Sequence, residues 1–510
     1  MSGPVPRPLV GAAVPASTRR APVWVLSIFV FGAIGYFLLF VQAFLASDGE
    51  MLQGLIIAPI LVGLTIPFAL RLARSEGDPQ YFPLVMAALV AKLGAALVRY
   101  YISFVVYHGL TDAQQYDQAG AQLAPQLRRF IFPNTATLVG TNFIKLLTGI
   151  VYAIFGTSRI AGGFAFAWIG FLGLLMMVRA FRVAIPDGAF RRYTILVLFL
   201  PSLMYWPSAI GKEAWMMLCL GAAALGVALM FRSRSGGLVY FILGVAGLLM
   251  VRPHMALIVF AGLVFAFALR KAPGRSMATP IFRILGLVVV VVLGAFLASR
   301  TASFLKQDAF TTNTISSALT STVGQTQEGG SSFSPVIIHT PLDVGPAFAT
   351  VFFRPFPFEA GSSQELVTAA ECSFLLGLMF FSWNRLRSIP KLIRTTPYVA
   401  YCVGYCAAFT FAFSSFANFG ILARQRTQAL PFLLVLFALP RVQDLLAGTE
   451  PETETTLQVV RDQAPPPPPP PPPVPAYGPL HRTRRPVRSE TLDDGHPSRR
   501  TRRLDDVPKS

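Results

Sequence analysis

Charge is what this chain has least of. Only 13% of its 510 residues are Asp, Glu, Lys or Arg, against 54% apolar residues and a mean hydropathy of +0.57. A soluble protein of this length would need several cores beneath a far more charged surface, so that class is excluded. Lysine is scarcer still, at seven residues against 36 arginines. With abundant Ala, Gly, Val and Pro, that ratio fits a GC-rich bacterial genome and points to a bacterial plasma membrane. The four cysteines, Cys219, Cys372, Cys402 and Cys406, all fall inside apolar runs. They read as packing residues and imply neither a disulfide framework nor a metal site. The motifs of soluble enzymes are missing too: there is no Walker A loop, no GxSxG and no HExxH. Any chemistry must be built from the few charged residues near membrane boundaries.

What the chain has instead is apolar runs of seventeen or more residues, long enough to cross about 30 Å of hydrocarbon as helix. The expected fold is all-α: a polytopic integral membrane protein of about 12 transmembrane helices. The spans are 24–46, 53–73, 82–107, 158–178, 193–210, 213–231, 237–251, 254–269, 284–299, 364–384, 396–416 and 427–441. The first 23 residues carry Arg7, Arg19 and Arg20 ahead of an apolar run too long for a signal peptide and without a clear cleavage site, so the first span reads as a retained anchor. Orientation follows from the short loops. Arg71 and Arg74, Arg179 to Arg192, Arg232 and Arg234, Arg270 to Arg283, and Arg385 to Arg394 all fall on one side. The positive-inside rule makes that side cytoplasmic and brings both termini to it.

The run 139–156 is apolar enough to tempt a thirteenth span, but crossing there would throw every later cationic loop outside. It is short, interrupted by Lys145 and Gly149, and reads as an amphipathic helix on the outer surface. Two large outer loops result, 108–157 and 300–363, the second ending in a further surface-hugging helix. The transmembrane domain thus covers 24–447, between a cytoplasmic segment 1–23 and a tail, 448–510. The tail runs from an acidic patch (EPETETT) through nine prolines, Pro465 to Pro473, to an Arg-rich end. Without an apolar face it is expected to be disordered, with a polyproline stem of about 28 Å that would suit a proline-binding partner. Its cations would attract anionic membrane lipids. The net charge of +19 is spread over loops whose sidedness already accounts for it, which argues against nucleic acid as a partner.

The topology gathers charged residues at the outer face, where a cytoplasmic bias predicts few. Asp112 and Asp117 follow the third span, which carries Lys92 and Arg99 seven residues apart on one helical face. Lys212 and Glu213 sit at one hinge, Arg252 and His254 at another, Arg354 and Glu359 in FRPFPFEA, and Arg424 and Arg426 at the start of the last span. Each has a plainer reading. Lysines and arginines near helix ends snorkel to headgroups, and Lys212 with Glu213, or Arg354 with Glu359, can close a turn as a structural pair. His254 reads as a cap or polar packing group, Asp112 as the start signal of the following helix, and Glu371 as a bundle-facing carboxylate paired with a cation.

The order of HGLTDAQQYDQAG, YAIFG, MMVRAFR, PSLMYWPS to GKEAW, and GLLMVRPHMAL over about residues 82–300 resembles the C-type superfamily of polytopic, polyprenyl-phosphosugar-dependent glycosyltransferases. The segments FRPFPFEA and LARQRTQALPF look closer to bacterial surface-polysaccharide polymerase-like membrane proteins. The first resemblance implies transfer of a sugar from a polyprenyl-phosphate carrier to a glycan or lipid-linked acceptor on the non-cytoplasmic side. An acidic residue of the first large outer loop, Asp112 or Asp117, would stand at the reaction centre as general base. Lys212, Arg252, Arg424 and Arg426 would receive the lipid phosphate, with Arg99 and Arg354 behind them and Glu213, His254 and Glu359 completing the site. In the superfamily the arrangement begins at the first span, whereas here two spans precede it. No DxD or ExD pair is present, so neither a cofactor nor an obligatory metal is expected. The alternatives are a Wzy-type repeat-unit polymerase, which the Arg424–Gln425–Arg426 run favours, and a non-enzymatic flippase or transporter of lipid-linked sugars, to which Lys92 and Glu371 would belong.

Overall fold

The structure, a computed structural model, describes residues 22–133, 138–269, 294–301, 320–327 and 330–447. Contacts divide the chain after Thr449, and every described residue precedes that division, so the expectations for segment 1–21, for the tail and for most of span 284–299 lie outside the described residues. The described chain is helical, with a single isolated β-bridge between Ser332 and Asn418. Three long helices open it: α1 (Val23–Leu45), α2 (Gly49–Glu76) and α3 (Tyr81–Tyr100). Phe31, Ile34, Phe37, Leu38 and Phe44 of α1 stand exposed. Water would not tolerate such a surface, and it marks the molecule as a membrane protein. Asp48 starts α2 by accepting from the Met51 amide at 3.0 Å, and Gly77, at φ +63°, ends it.

The centre of the bundle is α6 (Arg159–Ala184) against α9 (Lys212–Phe231). Both are rich in Gly and Ala, and lipid offers no hydrophobic drive for helix association, so close backbone approach must hold them together. A Cβ on Gly221 would collide with the Gly173 carbonyl, and one on Gly173 with the backbone at Met217. Gly221→Val should therefore cost about 1–3 kcal/mol or more, read as a lower unfolding temperature in detergent; unchanged unfolding would refute this packing. The helix α10 (Gly237–Val251) packs on the far side of α9 and leads into α11 (Pro253–Leu269).

Among the described residues six helices are each long and apolar enough to cross a membrane: α1, α2, α3 with its π-helical extension Tyr101–Val106, α6, α9 and α13 (Ser363–Phe381). The other expected spans differ from unbroken crossings for local reasons. Span 193–210 is broken: α7 (Phe190–Phe199) stops at Leu200, whose extended backbone is what a residue before proline prefers, and Pro201 opens the short α8 (Pro201–Tyr205). Spans 237–251 and 254–269 are helices of 15 and 17 residues. Span 396–416 becomes α14 (Pro397–Phe413), bent by 111° from the helical segment before it. Span 427–441 shrinks to α16 (Leu430–Phe437), eight residues or about 12 Å long. Every residue of α16 is buried in the protein, which is why its hydropathy imitates a span.

The run 141–155 forms a helix, α5 (Thr141–Phe155), paired with α4 (Asp112–Arg128). In the second long loop α12 (Val344–Phe353) forms and buries Ala347, Val351, Phe352 and Phe353 on the side where α14 packs. All four cysteines are buried and unpaired. Glu371 corrects an expectation: among the described residues its partner is no cation but the amide and hydroxyl of Ser202 at the start of α8, with the amide at 2.7 Å. Lys92 donates to the carbonyls of Leu203 and Met204 at 3.0 and 3.4 Å. Opposite charges thus satisfy the two ends of the short α8, in the sense its dipole requires.

Candidate functional site

The ends of four elements meet at one end of the bundle. Gly140 of the loop before α5 donates to Met250 near the end of α10 at 2.7 Å, and Asn418 caps α15 (Phe419–Arg426) through the Ile421 amide at 3.1 Å. The 3-10 turn Trp206–Ser208 and Gly211 deliver Lys212 and Glu213 to the first turn of α9. Thr111 precedes α4 without capping it, so Asp112 enters as its first residue, where a carboxylate complements the helix dipole.

These ends carry a continuous ionic network. Arg424 donates through both terminal nitrogens to Oδ2 of Asp112, at 3.2 and 3.3 Å, and through Nε to Oε1 of Glu213 at 2.7 Å. The same Glu213 oxygen accepts from Arg252 at 3.1 Å. Arg252 also donates to Gln425 at 2.7 Å, whose amide oxygen accepts from Gln428 at 2.8 Å. Burial is graded along the network: the Asp112 side chain is 58% exposed, Arg424 25%, Arg252 10% and Glu213 8%. Glu213 and then Asp112 push the Arg424 guanidinium further up from its ordinary range, while burial draws Arg252 down despite Glu213. Tyr116, one turn after Asp112, is buried beneath both carboxylates; burial and then their charges push its phenol up to about 12. It stays protonated at any physiological pH.

Two carboxylates thus compensate two guanidiniums, and Lys212 is one cation in excess. It makes no hydrogen bond or ion pair among the described residues, and it is the first residue of α9, where its charge and the helix dipole both attract an anion. Nearby, Arg99 donates to the Tyr205 hydroxyl at 3.0 Å and lies against the faces of Tyr205 and Trp206, 4.9 and 4.8 Å from their centroids. With Arg159, Ser103, Ala113 and Ser208 it lines a narrow cavity between α3 and α6. The buried Ser103 hydroxyl and Arg99 Nε have no hydrogen-bond partner among the described residues.

Other candidate residues stand apart. Asp117 lies five residues past Asp112, about 140° around the helix. It is buried, accepting from the Tyr152 hydroxyl at 2.6 Å and from Arg159 at 2.9 Å, and so ties α4 to α5 and α6. Arg426 lies about 200° around α15 from Arg424. It is fully buried and donates to the carbonyls of Phe352 and Arg354 at 3.3 and 2.8 Å. Arg354 pairs with Glu359 and lies over the stacked rings of Phe333 and Phe419, closing its own turn. The His254 ring faces Phe413 at 6.2 Å. Sequence reasoning missed Gln425, Gln428 and Tyr116; only the 425/428 spacing of one helical turn and the 112/116 spacing hinted at them. No group of three or more His, Cys, Asp or Glu residues that could hold a metal occurs among the described residues. Comparison with protein-family models, with curated proteins and with solved structures finds no match for this chain.

Proposed function

We propose that this chain is a membrane glycosyltransferase that moves a sugar from a polyprenyl-phosphate carrier to a glycan or lipid-linked acceptor on the non-cytoplasmic face of a bacterial plasma membrane. In this reading both termini are cytoplasmic, and shorter and broken helices add crossings to the six long ones. The observation that carries the proposal is an exposed carboxylate, Asp112, pinned by Arg424 at 3.2 Å and close enough to Lys212 to act on its charge, while Lys212 forms no ion pair among the described residues. No described hydrogen bond occupies Asp112 Oδ1, which is free to take the proton of an acceptor hydroxyl. As that oxygen attacks C1 of the sugar, the C1–O bond to the carrier breaks with oxocarbenium character, and the electron pair leaves on the lipid phosphate. Arg252 and Arg424 are already compensated, so Lys212 and Arg99 are the cations left to stabilise that charge.

Purified protein in lipid, given a panel of polyprenyl-phosphate sugars, should transfer at least one of them. Lys212→Met should raise the donor KM roughly tenfold, the loss of one charge-assisted contact, with Lys212→Arg retaining most affinity. Absence of transfer from every donor by the wild-type protein would overturn the proposal.

One observation favours a second reading, a flippase of the same lipid-linked sugars: the α7–α8 break held between Glu371 and Lys92, since discontinuous helices with charged partners are a transporter feature. Vesicles that translocate a fluorescent lipid-linked sugar without transferring it would support that reading instead. The polymerase alternative draws on the Arg424–Gln425–Arg426 run and the Arg354 segment; Arg424 and Arg426 have different partners, and Arg426 donates to the Arg354 carbonyl.

A further inference from the structure

At the end of the bundle opposite Lys212, a cavity of about 480 Å³ opens where α6 and α9 finish and α14 begins. Its apolar lining is Ala184, Phe231 and Pro397, and its polar lining includes Arg232, Arg394, Thr395 and Thr396; among the described residues no carboxylate lines it. Arg232 is fixed by donating to the Ala184 carbonyl at 3.0 Å. Arg394, in the last turn of the helix Ile389–Thr395, makes no hydrogen bond or ion pair among the described residues. The carboxylate of Glu76, also at this end, is taken by Arg182 at 2.9 Å. Both arginines are exposed, and the planar forks of two guanidiniums lining one cavity match phosphate oxygens. The volume is that of a small-molecule site, far more than a single water needs.

We infer that this cavity is an anion site for a phosphate-bearing headgroup, separate from the network at Asp112. An apolar wall beside a cationic rim suits an amphiphile: the phosphate lies between Arg232 and Arg394, and its hydrocarbon continues along Phe231 and Pro397. Basic pockets between membrane helices hold anionic lipid headgroups in this way. The 17-residue α14 starts at this cavity with no side chain capping it, which adds to the attraction for an anion.

Native mass spectrometry of the full chain in detergent, titrated with dioctanoyl phosphatidic acid and with dioctanoylglycerol, tests this. The phosphate-bearing lipid should bind at least tenfold more tightly. Arg394→Gln, which removes no hydrogen bond among the described residues, should weaken it roughly fivefold, the effect of one cation near a lipid phosphate. Arg234→Gln, exposed on the same end and outside the cavity, should leave binding unchanged. Inorganic phosphate that displaces the lipid at comparable concentration would identify a soluble phosphate as the occupant; failure to displace it would identify the lipid. Equal affinity for the two lipids, or unchanged affinity in both Arg394→Gln and Arg232→Gln, would overturn the inference.

Discussion

Asp112→Asn should cut sugar transfer by about 10²- to 10⁴-fold, the range for loss of a general base, and should leave unfolding close to that of the wild type. The separation follows from burial. Asp112 is more than half exposed, and its ion pair with Arg424 is screened by solvent, so the amide changes stability by about 1 kcal/mol at most. Arg424 keeps its shorter bond to Glu213, so the network does not collapse. Asp117→Asn is the informative comparison. That carboxylate is buried and bonded to Tyr152 and Arg159, so its loss should lower stability by about 1–3 kcal/mol through the partners left behind. Measured together, rate and unfolding temperature separate the two aspartates. Full transfer by Asp112→Asn would remove it as the base, and a deficit confined to Asp117→Asn would move the role there.

Glu213→Ala should be the most destabilising single change at the site, about 3–5 kcal/mol, because it leaves a buried guanidinium without its counter-charge. Glu213 is 8% exposed and one of its oxygens accepts from both Arg252 and Arg424; with it gone, Arg252, equally buried, keeps among the described residues only the neutral Gln425. Glu213→Gln should fall between alanine and wild type, since it retains an acceptor but not the charge. Thermal unfolding in detergent measures both. An alanine variant that unfolds with the wild type would show that the carboxylate does not hold this end of the bundle together.

The class of the protein was legible in residue order. Exposed Phe31 and Phe44 on α1 and buried Gly173 and Gly221 between α6 and α9 both belong to runs that hydropathy marks as membrane helix. The meeting of Asp112, Lys212, Arg252 and Arg424 was legible as well. Each stands at the boundary of an apolar run, and alternating crossings bring such boundaries to one end. Helical faces were harder to read. Asp112 and Asp117 look equivalent in a string of letters, as do Arg424 and Arg426, but rotations of about 140° and 200° give each pair different neighbours. The run 427–441 was the opposite case, apolar because protein surrounds it, a condition hydropathy cannot tell from lipid.

By itself, then, the sequence determined that this is a helical membrane protein, where its charged boundaries fall and which of them share an end, because hydrocarbon thickness and the cost of buried charge act on every residue independently of its neighbours. Tertiary structure alone decided that Glu213 is the shared anion of two arginines, that Lys212 is the cation left over, and that Glu371 and Lys92 bracket a broken helix. Those outcomes depend on distances of about 3 Å between residues 39 to 211 positions apart, and only packing sets distances of that kind.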